Sequence, residues 1–424
     1  MTTNLQEPAF AAFIGIDWGD KKHDVCLTPA GREAPEQRER SVLEHDPSQI
    51  AAWASRLKRR FKGGPIAVCL ELSRGPLVSA LLEHDIFVVF PVNPQSLAKY
   101  RQTFAPSGAK DDPSDAEFAL DFLVRHRDRL RPLKLESTTL RMVREMVVSR
   151  RSLVHERVRV TNRLIHALKA YFPQVLDWFE DRSTEVFAAF LAHWPSLQAA
   201  KRARRPILEE FFRNHNVRYQ AVVQRRIEAI KNAVPLTSDD AVIMANELLV
   251  MVLVRQLRAL SQGIKDFDDV IAKLVAEHED YHLFADLPGA GAVYAPRLLA
   301  AFGEDRQRFE SARDVQCATG IAPVLERSGN SAWTHHRFRC HKFTKQTFVE
   351  WAAQTIPKSF WARAYYDQQR AKGATHQVAL RALAFKWIRI LFRVWKDRVP
   401  YDETRYLKAL RKKRSTLPKS IAAA

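Results

Sequence analysis

An α/β domain followed by a mainly all-α remainder is the fold class this sequence predicts. Three observations carry it: short β-branched and aromatic runs alternate with helix starts in the first part of the chain; a basic stretch without Gly or Pro follows over 139–171; and a heptad of apolar residues runs unbroken over 250–274.

Phe13-Ile14-Gly15-Ile16 and the run from His23 to Thr28 read as two strands in hairpin spacing, closed by the turn signal Pro29-Ala30-Gly31. Asp46-Pro47 opens a helix, with Asp as N-cap and Pro at the first helical position. Runs 66–70 and 87–92 read as buried strands, with helices starting near Gly75-Pro76, Pro94 and Pro113. Together they predict a mixed sheet flanked by helices.

The helix over 139–171 carries Arg141, Arg144, Arg150, Arg151, Arg157, Arg159 and Arg163 and stops before Pro173. Shorter helices are expected over 183–233. Val250, Leu253, Leu257, Leu260, Ile264, Phe267, Ile271 and Leu274 then step by alternating threes and fours. That seam predicts a coiled-coil arm joining protomers, with a bundle-core helix as the alternative. Leu287-Pro288-Gly289-Ala290-Gly291 reads as a tight turn between helices whose amides can grip phosphate. A loop over 320–333, a basic stretch over 334–345, helices around 346–355 and 375–395, and a mobile basic tail over 408–419 complete the chain. The expected division is 10–128, 129–280, 281–400 and a tail, 401–424.

Charge narrows the function. Of 424 residues, 67 are Lys or Arg and 48 Asp or Glu, a formal charge of +19 that points to a polyanionic partner. With 46% hydrophobic and 27% charged residues, the chain is not a disordered polymer. No apolar run reaches the length of a membrane span, and the polar N-terminus has no signal-peptide pattern. Cys26, Cys69, Cys317 and Cys340 form no CxxC pair, which favours a reducing cytoplasm. No basic amphipathic anchor or lipidation motif accompanies the charge, so no membrane partner is expected and the expected location is cytoplasmic and nucleoid-associated.

Candidate chemistry lies in two places. Asp17 and Glu71 each end an apolar strand, while Asp112 and Asp115 share one face at a helix start. If the strands are adjacent and parallel, the acids converge and require cations, as in a magnesium site. Each acid alone also reads as a loop residue or helix cap, and Asp111 competes with Asp112 as ligand. In the second place, Arg327-Ser328-Gly329-Asn330 sets a serine beside a glycine and a cation, with His335 and His336 downstream. A turn-forming serine is the plainer reading. His335, Arg337, Arg339, Lys342 and Lys345 interleave with aromatics as nucleic-acid contacts do, and Arg150 and Arg157 are further backbone-contact candidates. A zinc site from His335, Cys340 and His341 is the competing reading there.

Three segments in order resemble the DEDD-type insertion-sequence transposases, also called bridge-RNA-guided recombinases, and the related Piv-like DNA invertases. They are Gly15-Ile16-Asp17-Trp18 with Glu71; Lys110-Asp111-Asp112-Pro113-Ser114-Asp115-Ala116; and Leu287-Pro288-Gly289-Ala290-Gly291 followed by Gly320-Ile321-Ala322-Pro323 and Ser328-Gly329. The resemblance implies a RuvC-like (RNase H-like) N-terminal domain, a helical coiled-coil middle and a mainly helical C-terminal transposase domain. It implies Asp17, Glu71, Asp112 and Asp115 as catalytic Mg2+ ligands and Ser328 as nucleophile on DNA, in a composite site across protomers. It further implies a structured bridge RNA and a dimer of dimers. Asp111 stands where that family more often has Thr or Asn, and the stretch 339–346 lacks its glycine-rich pattern. Two other functions compete: a metal-dependent junction-resolving nuclease that uses water, and a non-enzymatic nucleic-acid-binding coiled-coil protein.

Overall fold

The computed structural model describes residues 9–32, 34–71, 73–104, 112–338 and 340–412, and the backbone alone at 112 and 113. It divides into two compact units, Met1–Leu135 and Glu136–Ala424.

The first unit contains β1 (Ala12–Asp17), β2 (Lys22–Pro29), β3 (Glu39–Glu44), α1 (Pro47–Arg60), β4 (Ile66–Leu70), α2 (Pro76–Leu82), β5 (Phe87–Pro91), α3 (Pro94–Phe104) and α4 (Asp112–His126). Its five strands lie in the order β3-β2-β1-β4-β5. The strand β1 is antiparallel to β2 and parallel to β4, and β4 is parallel to β5. Side chains alternate between the faces, as a pleated strand requires. Ile14, Ile16, Val25, Val68 and Val89 meet Trp53, Leu57, Leu77 and Leu81 on one side. Phe13, Cys26, Ala67, Cys69 and Phe90 meet Ala119, Leu120 and Leu123 on the other.

Gly15 sets how closely α4 approaches. A Cβ there would lie 2.1 Å from the Ala116 carbonyl oxygen and 2.3 Å from the Leu120 nitrogen, so the helix backbone rests directly on β1. Just beyond α4, the Arg127 guanidinium lies 5.4 Å and 5.5 Å from the ring centroids of Phe10 and Phe13, at the start of β1. Helix α4 therefore runs opposite to β1, with its N-terminus at the edge where β1 ends. The strand β3 was not expected from sequence: only Leu43 is buried in it, so it carries almost no apolar signal.

In the second unit come α5 (Thr138–Tyr171), α6 (Val175–Trp178), α7 (Glu185–His193), α8 (Leu197–Arg202), α9 (Arg205–Asn214), α10 (Gln220–Asn232) and α11 (Asp240–Ala276). They are followed by α12 (Tyr281–Ala285), α13 (Gly291–Phe302), α14 (Ala312–Ala318), β6 (Val324–Ser328), β7 (Ser331–His335), α15 (Lys342–Thr355), α16 (Phe360–Ala371), α17 (His376–Asp397) and α18 (Glu403–Lys412). Antiparallel helices α5 and α11 form the spine, about 50 Å long at 1.5 Å per residue. One apolar core gathers the C-terminal part of α5 with α6 to α10; the other gathers its N-terminal part with α12 to α18.

Three expectations are corrected. The heptad seam exists, but Val250, Leu253, Leu257, Ile264 and Ile271 are buried within the unit, and α5 of the same chain runs along α11. Arg150 reaches Asp268 at 2.5 Å, and Leu153 faces Gly263, which fixes the antiparallel pairing. A heptad specifies a partner stripe without saying which helix carries it, and here a neighbouring helix satisfies it. The expected loop over 320–333 contains the β6–β7 hairpin, reversing at Gly329-Asn330 with Gly329 at φ +55°. Part of the expected mobile tail, as far as residue 412, is the helix α18, whose Tyr406, Leu407 and Leu410 pack on the core; residues 413–419 lie outside the described set.

Candidate active site

Register brings three acids of the first unit to one edge of the sheet. Asp17 is the last residue of β1 and faces Asp24 of β2 as a direct cross-strand partner. Glu71 follows Leu70, the parallel partner of Ile16. By alternation, Asp17, Asp24 and Glu71 share the face of Phe13, Cys26 and Cys69, which is the face α4 covers. Helix α4 begins at Asp112 at this same edge. Like charges directly opposed on neighbouring strands are destabilising unless a cation offsets them. Asp24 was missed because it sits inside an otherwise apolar run; its signal was an acid in the strand that pairs with the one ending at Asp17.

The side chains are arranged as follows. Asp115 is buried and gripped by Arg101 of α3, whose Nη1 donates to both carboxylate oxygens at 2.5 Å and 2.8 Å. Asp17 is half-buried and Glu71 exposed. Glu71's charge, second to burial, helps push the Cys69 thiol up to about 12, so that cysteine is an inert wall. The side chain of Asp112 and all of Asp111 lie outside the described residues. Among the described residues, no three acidic, His or Cys side chains gather closely enough to hold a metal ion. An oxygen-only donor set still suits a hard cation, and Asp115 can join it only by exchanging Arg101 for the ion.

The turn after Asp17 is held from below. Gly19 N–H donates to His23 Nδ1 at 3.3 Å, and His23 Nε2 pairs with His45 Nδ1 at 2.9 Å. Burial, then the neighbouring His45, lowers the His23 imidazole to about 4, so it stays neutral. Helix α4 is also tied to the sheet by ions. Arg38 donates to Asp121 at 2.6 Å and to Glu117 at 3.3 Å, and Arg40 to Glu117 at 2.6 Å.

In the second unit Ser328 ends β6, exposed, opposite Ser331, with Arg327 exposed beside it. His335 pairs with Val324 at the other end of the ribbon. Four residue steps separate it from Ser328's level, about 14 Å of strand, so neither it nor the adjoining His336 serves as that serine's base within the hairpin. His335 Nε2 instead approaches Glu326 at 3.5 Å, and His336 contacts Arg381.

The remaining expected contacts are dispersed. Arg150 is engaged with Asp268, and Arg157 is partly exposed on α5. Arg337 directs its Nη2 at the Cys317 sulfur, 3.9 Å away, and its carbonyl accepts from Lys345 Nζ at 3.2 Å. Lys342 opens α15, and Arg339 lies outside the described residues. The turn at Gly289, φ +72°, lies against α15, where an added Cβ would meet the Gln354 carbonyl at 2.5 Å. Trp351 Nε1 donates to the Pro288 carbonyl at 3.2 Å.

Comparison with known proteins gives two family matches and several relatives that span most of the chain. A family model described as a transposase, named for DEDD and IS110, matches residues 14–173. A second, the transposase IS116/IS110/IS902 family, matches residues 281–367, which include Ser328. A protein of the IS117 mini-circle of Streptomyces coelicolor, named for transposition, is 26% identical over 95% of this chain and 98% of its own length. An uncharacterized 43.6 kDa protein of insertion element IS110 from the same organism is 26% identical over 92% of this chain and 95% of the relative. An uncharacterized 42 kDa protein of insertion element IS900 from Mycobacterium paratuberculosis is 25% identical over 94% and 98%. With both family models matched in order and whole-length relatives on either side of the gap between them, the chain belongs to the IS110 family of transposases.

Proposed function

We propose that this transposase cleaves and rejoins DNA with Ser328 as nucleophile, assisted by a magnesium site built on Asp17, Glu71, Asp112 and Asp115. The observation that carries the reading is Ser328 itself: an exposed hydroxyl at a tight reversal, flanked by Gly329 and Arg327, inside a family-matched segment. In the proposed step Ser328 Oγ bonds to a DNA phosphorus, one bridging P–O bond breaks, and the departing deoxyribose oxygen takes up a proton. Phosphoserine linkage conserves the phosphodiester energy for rejoining. Within this proposal Arg327, the preceding residue of β6, supplies positive charge to the DNA phosphates near Ser328. Magnesium would supply charge neutralisation at those oxygens. The strand order β3-β2-β1-β4-β5, with acids at one edge, supports an RNase H-like (RuvC-like) identity for the first domain. Guidance by a bridge RNA, assembly as a dimer of dimers, and separate middle (129–280) and C-terminal (281–400) domains belong to the same proposal.

Incubation with DNA and magnesium should leave a covalent protein–DNA adduct that Ser328→Ala abolishes and Asp17→Ala reduces about 100-fold or more. Cleavage that persists in Ser328→Ala would instead identify a nuclease using water.

A further inference from the structure

A cavity of about 590 Å³ opens in the second unit, away from Ser328, between α5, α13, α15 and α17. Arg151, Lys342, Lys345 and Arg381 line it, together with Tyr294 and Glu350. Beneath it lies Arg297, only 4% exposed, stacked 4.8 Å from the Phe343 ring centroid. Arg297 donates to Glu350 and to Thr347 Oγ1, each at 3.0 Å. Arg151 takes the other Glu350 oxygen at 2.7 Å.

The charges here do not balance. One carboxylate serves two guanidiniums, and three further cations face the same space. Burying a cation without full compensation is costly, and an anion in the cavity offsets that cost. Hydrogen-bonding capacity is left over as well. Arg297 Nη2, Arg151 Nε and Arg381 Nε are all buried without a hydrogen-bond partner. Potential is concentrated enough to act on a neighbour: Arg381, then desolvation, then Lys345 holds the His336 imidazole below its ordinary pKa.

Backbone adds to the side chains. Lys342 and Lys345 come from the first turn of α15, and Gln377 from the first turn of α17. Thr375, at the start of α17, makes no capping bond through its side chain. The α15 N-terminus is capped by His341, whose Nδ1 accepts from the Thr344 amide, whereas that of α17 has no side-chain cap and adds partial positive charge near this space.

We propose that this cavity is an anion seat that holds a backbone phosphate of the DNA, with Arg381 and Arg151 as phosphate ligands and Glu350 as the residue that positions Arg151. The DNA part rests on the function proposed above; the anion site does not. Lys342, Lys345 and Arg151 of this set stand out in the sequence, but Arg381, Arg297 and Glu350 do not, because they come from distant helices and the charge excess exists only once folded.

Two measurements on the full chain test it, and neither depends on Ser328 or on strand cleavage. In thermal unfolding, inorganic phosphate should raise Tm by about 2–4 °C beyond chloride at equal ionic strength. Arg381→Ala and Gln377→Glu, both at accessible positions, should each remove that increment, and Arg381→Lys should restore part of it. Equal effects of phosphate and chloride on the native chain would overturn the site. In duplex DNA binding, Arg381→Ala should reduce the slope of log K against log salt by about one. A lost phosphate increment with an unmoved DNA slope would overturn the DNA assignment, leaving a small-anion site.

Discussion

The sheet edge of the first unit and the hairpin of the second present their candidate side chains in opposite ways. Asp17 ends a strand whose preceding residues are all buried, between two paired neighbours and under a helix in backbone contact. Ser328 ends a strand with no fully buried residue, in a ribbon of two strands. Such a ribbon has little independent stability. The contrast teaches where rigidity resides: Asp17 is positioned by a core, whereas Ser328 is presented by a turn with no core of its own beneath it.

The largest test of that contrast is at the glycines. Gly15→Val drives a side chain into the α4 backbone and should cost about 3 kcal/mol or more in denaturant unfolding. Its counterpart, Gly329→Ala, strains a left-handed turn residue in open space and should cost only about 1 kcal/mol while impairing adduct formation. Equal losses of stability would break the comparison.

Arg101→Ala sharpens it at intermediate scale. Asp115, 12% exposed at its side chain, loses the cation that both its oxygens accept from. Without metal the variant should be less stable by about 3 kcal/mol. If Asp115 joins a metal site, magnesium should then raise the variant's Tm more than the native chain's. An identical magnesium response in the two proteins would argue that Asp115 serves only Arg101.

The smallest effect is set by pH. His23 titrates near 4 when folded and near 6.5 when unfolded, so the unfolded chain binds the extra proton between those values. Its contribution is complete above about pH 6.5 and disappears as pH falls through about 4. His23→Gln should flatten the stability profile of the first unit across that window. An unchanged profile would place the acid sensitivity elsewhere, for instance in the Arg38–Asp121–Glu117 network.

Much of this was readable before the structure. Apolar runs marked β1, β2, β4 and β5, Asp46-Pro47 marked a capped helix, and the arginine-rich and heptad helices appear with nearly the expected bounds. Strands with no apolar face, β3 and β6–β7, gave no periodic signal. The helix α18 was hidden because its basic residues outweighed its few apolar anchors, Tyr406, Leu407 and Leu410. At the candidate site, Asp17 and Glu71 were visible as strand ends and Asp112 and Asp115 as a pair at a helix start, but Asp24 was not, and nothing local revealed that Arg101 holds Asp115.

Sequence alone determined most of the elements, the net positive charge and which acids and which serine are candidates, because these follow from local pattern and composition. Tertiary structure decided which elements face each other. It turned the heptad inward onto α5, aligned Asp24 with Asp17, separated His335 from Ser328 and left Glu350 shared between two arginines. The physical reason is that pairing, register and charge balance are relations between residues far apart in the chain, and those relations come into being only when burial closes the cores.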